Sequence, residues 1–343
     1  MSMMVSSPPP VSQTPAIEVA TQPPDDDEFE INEDPFADGM TSITSSVYAH
    51  EYEMGRRYHC FKNGRYPIPN DDIEKNREDL KHAMLMELTD GVLFYAPVEN
   101  PRRILDIGTG TGIWAMSEAP RPGPSVGDEY PAAHVMGIDL TPIQPNWVPP
   151  NVEFLVDDCY EDWLTNETAD LVHFRFMAVI LRDISTVLGH AFKSLRPGGW
   201  VEFHELQGEP LCDDGTMSED DAFRRLYRLA GEAYARLGFD TTVAARLEPL
   251  LRDAGFVNVR CRLMRVPIGV WARDETLRLI GLYQKTAVED FISTLAGRPF
   301  ETLGMSAAEV QLVLALARKA LDDKGVHRYF NYYFWYAQKP HQV

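Results

Sequence analysis

The run Arg103-Ile-Leu-Asp-Ile-Gly-Thr-Gly-Thr-Gly-Ile-Trp114 places a carboxylate, Asp106, two residues before a glycine loop. The loop carries Gly108, Gly110 and Gly112, with Thr109 inside it. Glycines at this spacing let a ligand lie almost against the backbone, where a Cβ would block it. A short apolar run before them reads as a buried parallel strand, followed by a tight turn and a helix. The dinucleotide fingerprint G-x-G-x-x-G fails here, because its third glycine falls on Ile113. A carboxylate so close to the loop repels a diphosphate and suits a cation. S-adenosylmethionine (SAM) carries a sulfonium and an ammonium, so D-x-G-x-G-x-G points to a SAM-dependent methyltransferase.

Two further strand ends carry acids. His134-Val-Met-Gly-Ile-Asp139 is a second apolar run ending in a carboxylate, with Leu140 after it. Val152-Glu-Phe-Leu-Val156 leads into Asp157, Asp158 and Cys159. Ligands of open parallel sheets lie beyond the carboxyl ends of the strands. Asp139 is placed to accept from ribose hydroxyls, and one of Asp157 and Asp158 from the adenine amino group. Each acid alone also reads as a turn residue or helix cap; three at successive strand ends form a pattern.

Methyl transfer is an in-line displacement from an excellent leaving group, so most of the catalysis can come from alignment. A base is needed only for some acceptors. The candidates are His204 and Glu205, at the end of Trp200-Val-Glu-Phe-His-Glu205, and His173 on the preceding strand. Alternation puts Glu202 and His204 on one face and Glu205 on the other. Structural roles remain open for both histidines. Arg175, just after His173, joins the cofactor set, with bracing of the next helix as the alternative. In Gly55-Arg-Arg-Tyr-His59, Arg57 is placed to pair with the methionine carboxylate and Tyr58 to pack near the sulfonium. Equally, that segment could only tie a cap to the sheet.

The segments ILDIGTGTGIWA, GIDLTPIQPNWVPPNVEF, DDCYEDW and LRPGGWVEFHE resemble the fungal LaeA-like family of class I SAM-dependent methyltransferases. The upstream blocks Gly55–His59 and Gly64–Asp71, with Arg77, are similar to its N-terminal signature. The resemblance covers about residues 45 to 210. It implies a Rossmann-like doubly wound sheet, mostly parallel, with an antiparallel last strand. It also implies either a tailoring enzyme with a small-molecule acceptor or a regulator of secondary metabolism acting through nuclear partners.

Around these motifs the elements follow from composition and period. The chain has 343 residues, 44% of them apolar, enough for a sizeable core. Net charge is −20. Residues 1–45 hold nine acids and no Lys or Arg, and read as a disordered, solvated tail. Phe29, Ile31 and Phe36 within it offer a short docking motif. The remainder has 32 basic against 43 acidic residues, which argues against nucleic acid as a partner. The N-P-P-[YW] tetrad of amino-methylating nucleic-acid enzymes is absent, the region reading His173-Phe-Arg-Phe-Met177. Cys60, Cys159, Cys212 and Cys261 form no metal or disulfide pattern. No secretory signal or membrane span is evident, so a cytoplasmic protein is expected, with the nucleus as alternative.

Residues 46–97 read as a cap whose helix starts at Asp71 or Asp72 and stops near Gly91. Residues 98–343 read as the methyltransferase domain. Its strands are expected near 102–107, 134–139, 152–157, 169–174, 199–205, 257–266 and 328–338. Helical insertions near 219–237 and 274–322 are expected to shape a pocket over the methyl, or a homodimer or partner surface. The C-terminal aromatics Tyr329 to Tyr336 read as core packing rather than a stacking platform.

Overall fold

The computed structural model describes residues 15–19, 50–53, 55–59, 62, 65–116, 124–163 and 168–341. A hairpin, β1 (His50–Glu53) and β2 (Arg56–His59), precedes the helix α1 (Asp72–Leu88). The side chain of Asp71 caps α1 by accepting from the Glu74 amide. Thr89 closes the helix, its hydroxyl donating to Leu85 O, and Gly91 turns the chain at φ +77°.

The sheet then builds from β3 (Arg103–Ile107), β4 (His134–Asp139), β5 (Val152–Val156), β6 (Ala169–Arg175), β7 (Leu195–Leu206), β8 (Val257–Pro267) and β9 (Tyr329–Gln338). Their order is β5-β4-β3-β6-β7-β9-β8, and β9 runs antiparallel to both neighbours. The other pairs from β5 to β7 are parallel. Strand order reverses between β3 and β6, where Asp106 and His173 are register partners. That is the switch point at which such sheets bind ligands.

Between strands lie α2 (Val126–Glu129), α3 (Ile184–Ser194), α4 (Ala222–Arg236), α5 (Leu247–Asp253), α6 (Glu275–Thr294), α7 (Arg298–Glu301) and α8 (Ala307–Leu321). α1, α4, α6 and α8 cover one face through Phe223, Leu226, Ile280, Ile292 and the strand residues Phe330, Tyr332 and Phe334. α3 and α5 cover the other, against Phe174, Phe203 and Trp335. The insertions thus join the cap helix in one layer, with α6 packed along α1. No helix among the described residues is long and apolar enough to cross a membrane.

Three expectations need correction. Among the described residues no α-helix directly follows the glycine loop: residues 110–115 form turns and a bend, and Val126–Glu129 is a single turn of helix. β7 begins at Leu195, not Gly199, because Pro197-Gly198-Gly199 is absorbed where the β6–β7 register shifts.

The third concerns the tail, expected to be solvated. Its described residues, 15–19, lie on the body. Val19 bridges Ala272, the Arg273 amide donates to Glu18 O at 2.6 Å, and Ile17 packs with Trp271 and Tyr329. Phe29, Ile31 and Phe36 fall outside the described residues. A chain beginning at residue 46 is expected to lose about 1 kcal/mol from Ile17 burial and backbone bonding. Thermal unfolding should show this as a fall in Tm of about 2 °C; an unchanged Tm would contradict docking.

Candidate functional site

The loop after β3 bends because its glycines adopt positive φ: +73° at Gly108, +57° at Gly110 and +81° at Gly112. A Cβ on Gly108 would collide with the Met177 thioether. One on Gly110 would come within 2.5 Å of Glu78 Oε2. The amides of Gly108 and Thr109 donate to Ile138 O at 2.8 and 3.1 Å, clamping the loop to β4. At the end of β4, Asp139 Oδ2 accepts from the Gly110 amide at 2.9 Å. Its Oδ1 accepts from the amide and hydroxyl of Thr141 at 3.0 and 2.9 Å. Burial raises the Asp139 carboxyl above the ordinary aspartate range. Leu140 follows it, half-buried.

A buried polar row crosses the sheet behind the loop. Asp106 accepts from the Thr109 hydroxyl at 2.7 Å and meets His173 Nδ1 at 2.8 Å. The Trp114 ring stacks on His173 at 3.7 Å, nearly parallel. Burial lowers His173 to about 4 despite Asp106, so its ring is neutral at neutral pH. Next to it His204 Nε2 meets Glu202 Oε1 at 2.6 Å, and Glu202 also accepts the amides of Tyr95 and Ala96. The expected sharing of a face by Glu202 and His204 is therefore seen. Both histidines lie in the interior, engaged by carboxylates and rings.

α1 roofs the loop. Asp79 accepts from the Thr111 hydroxyl at 2.8 Å, and Glu78 lies against Gly110. Burial, and then the neighbouring Glu74, push Glu78 up to about 8. Arg175 Nη1 meets His82 Nδ1 at 2.9 Å; burial and then Arg175 lower His82 to about 3. Burial likewise lowers Arg175, against the pull of Asp106, Glu78 and Asp79. Lys81 Nζ sits 3.1 Å from the centre of the Phe176 ring, and burial, then Arg77, hold its ammonium well below the usual range. Phe176 has φ +57°, a strained value for a bulky residue at the end of β6. Glu205 accepts the amides of Met177 and Ala178 at 3.0 and 2.8 Å on one oxygen. Its other oxygen has no hydrogen-bond partner among the described residues, and burial raises it to about 8.

The remaining sequence candidates lie further out. Asp157 Oδ1 accepts from the Asp158 amide at 2.8 Å. Asp158 is buried and faces Lys62 and Arg65 at 3.3 and 3.4 Å. Cys159 is half-buried, its thiol raised to about 12 by burial and Asp158. Tyr58 is not beside the loop's acids: Arg298 lies over its ring at 5.0 Å, tying the β1–β2 hairpin to the insertion. Arg57 binds Asn70 O at 2.6 Å, so it anchors the hairpin to the start of α1. Sequence reasoning missed Glu78, Asp79, Lys81 and His82. Their only signal was a buried α1 face that is polar as well as apolar.

This donor set fits the cationic amino-acid end of SAM. The glycine cradle leaves backbone exposed to a ligand, and Asp106, Asp139, Glu78 and Asp79 converge on it. Burial disfavours the charged forms of Asp139 and Glu78, and a bound cation relieves that strain. Among the described residues there is no group of three His, Cys, Asp or Glu disposed to hold a metal.

Residues 80–260 match a family described as a methyltransferase domain. The chain is 34% identical over 304 residues to Methyltransferase pytC of Aspergillus terreus, covering 88% of this chain and 91% of that protein. It is 33% identical over 299 residues to the secondary metabolism regulator LAE1 of Cochliobolus heterostrophus, covering 84% and 95%. It is 32% identical over 314 residues to the protein-methionine methyltransferase laeA of Emericella nidulans, covering 90% and 82%. Similarity of this extent to a secondary-metabolism regulator overturns the expectation of a cytoplasmic protein and favours the nuclear alternative.

Proposed function

Because the chain belongs to the fungal LaeA/pytC-like family of SAM-dependent methyltransferases, we propose that it uses methyl transfer to control secondary metabolism. SAM is its cofactor and supplies the methyl group on a sulfonium. The chain's own work is to hold and align. In this reading Gly108, Thr109, Gly110 and Gly112 cradle the cofactor, and Asp106, Glu78 and Asp79 face its ammonium. Asp139 takes the ribose hydroxyls, and Asp158 the adenine side. His173 and His204 keep Asp106 and Glu202 in register, as positioning residues. The observation that carries the reading is the acid-lined glycine loop roofed by α1, together with likeness to secondary-metabolism regulators over most of the chain.

A second reading, a tailoring enzyme with a small-molecule acceptor, is favoured by likeness to pytC. Metabolite profiling of a deletion strain separates the two. The regulatory reading expects changes across several unrelated products, restored by the intact gene but not by Asp139→Ala. A change confined to one product and its precursor would overturn it in favour of tailoring.

A further inference from the structure

The amino-acid end of SAM carries two opposite charges, an ammonium and a carboxylate. Asp106, Asp139, Glu78 and Asp79 suit only the first. The carboxylate needs a cation that stands among these acids and is not already engaged.

Most cations near the loop are engaged. Arg57 is bound to Asn70 O at the start of α1. Arg77 grips both oxygens of Glu74 through Nε and Nη2. Lys81 lies on the Phe176 ring, and burial disfavours its charged form. Arg175 differs. It is the last residue of β6, two past His173 and on the same side of the strand. His173 is the register partner of Asp106, so Arg175 stands just beyond that pair, at the mouth of the crevice where strand order reverses. The acids that act on it are Asp106, Glu78 and Asp79, yet none of them forms an ion pair with it. It is half-buried, and its one hydrogen bond among the described residues goes to His82 Nδ1 at 2.9 Å. A guanidinium has five N–H donors and no acceptor. His82 Nδ1 must therefore accept, which puts the imidazole proton on Nε2, and most of the Arg175 donors remain for a ligand.

We propose that Arg175 binds the carboxylate of the cofactor's methionine end, and that His82 is a positioning residue that aims its guanidinium. A planar fork matches a carboxylate through two parallel bonds. Acids and Arg175 together then present both signs to a zwitterion, with the ammonium toward Glu78 and Asp79. Burial disfavours the charge of Arg175, and a bound carboxylate offsets that cost. The role that the sequence suggested for Arg57 passes to a residue at the switch point. The inference rests on the methyltransferase reading and deepens its cofactor site.

The test is calorimetric titration of the full chain with S-adenosylhomocysteine and with decarboxylated S-adenosylhomocysteine, which keeps the ammonium and lacks only the carboxylate. Wild type is expected to prefer the first by about thirtyfold or more. In Arg175→Met the preference should fall to within about threefold, because the intact ligand binds more weakly. The decarboxylated ligand should bind this variant at least as tightly as wild type, since its ammonium no longer meets a like charge; that binding also shows that the variant folds. Arg175→Lys keeps the charge without the fork and should give an intermediate preference, which carries the test if Arg175→Met does not fold. His82→Leu should lower the preference about fivefold, and His82→Gln, which keeps an acceptor, should restore most of it. Equal weakening of both ligands in Arg175→Met, or an undiminished preference in both Arg175 variants, would overturn the carboxylate assignment. His82→Gln behaving as His82→Leu would overturn the positioning role. Binding of neither ligand by wild type would instead overturn the methyltransferase reading.

Discussion

Asp106→Ala is expected to weaken SAM binding at least a hundredfold and to destabilise the fold by about 2–3 kcal/mol. The substitution strands two buried donors at once, the Thr109 hydroxyl and His173 Nδ1. It also removes a carboxylate from the loop that must face a cation. Asp106→Asn separates these effects. The amide keeps shape and one acceptor, so most stability should return while affinity stays low. Urea unfolding reads the first quantity and calorimetry the second. Equal SAM affinity in wild type and Asp106→Ala would remove Asp106 from the site.

Glu78→Gln is expected to change how stability depends on pH. The folded carboxyl lies at about 8, against about 4.5 for an unfolded glutamate. The folded state therefore holds more protons than the unfolded state across that window. The stability tied to Glu78 is complete below about 4.5 and is lost as pH rises through about 8. Glu78→Gln should flatten this decline and raise Tm at pH 8 relative to wild type. Glu205 carries the same sign, so part of the slope should persist. The variant should also bind SAM about tenfold more weakly, since an amide does not attract an ammonium. A Tm–pH profile identical to wild type would show that Glu78 is solvated rather than pressed onto Gly110.

Much of this arrangement was legible in the sequence because it is written in local signals. Asp106 and its glycines mark the end of β3, since only glycine relieves positive φ there. Asp71 announces α1 as an N-cap. The antiparallel pairing of β8 and β9 is what the family resemblance implies, and the C-terminal aromatics do pack as core. The losses share another cause: they depend on which face of an element meets which neighbour. Start and stop signals predicted α1, but not that Lys81 would be buried and Glu78 and Asp79 half-buried over the loop. Strand spacing placed His204 at a strand end beside Glu202, yet only the folded sheet shows His173 and Phe334 packed against it. Ile17 and Val19 look solvated in an acidic tail until Trp271 and Ala272 offer them a partner. The neighbours of the C-terminal aromatics are likewise set by register, with Tyr333 opposite Glu205 and Trp335 opposite Phe203.

The most direct test of the acid-roofed SAM site is calorimetric titration of SAM and S-adenosylhomocysteine into the full chain at pH 7.5, in phosphate and in Tris. Glu78 is mostly protonated at that pH, and a bound sulfonium and ammonium favour its ionised form. SAM binding should therefore release protons, and its apparent enthalpy should differ between the buffers by a fraction of their ionisation enthalpies. S-adenosylhomocysteine, which lacks the sulfonium, should release fewer, and Glu78→Gln should abolish most of the difference. Binding of neither ligand, or SAM binding with the same enthalpy in both buffers, would contradict the site as described.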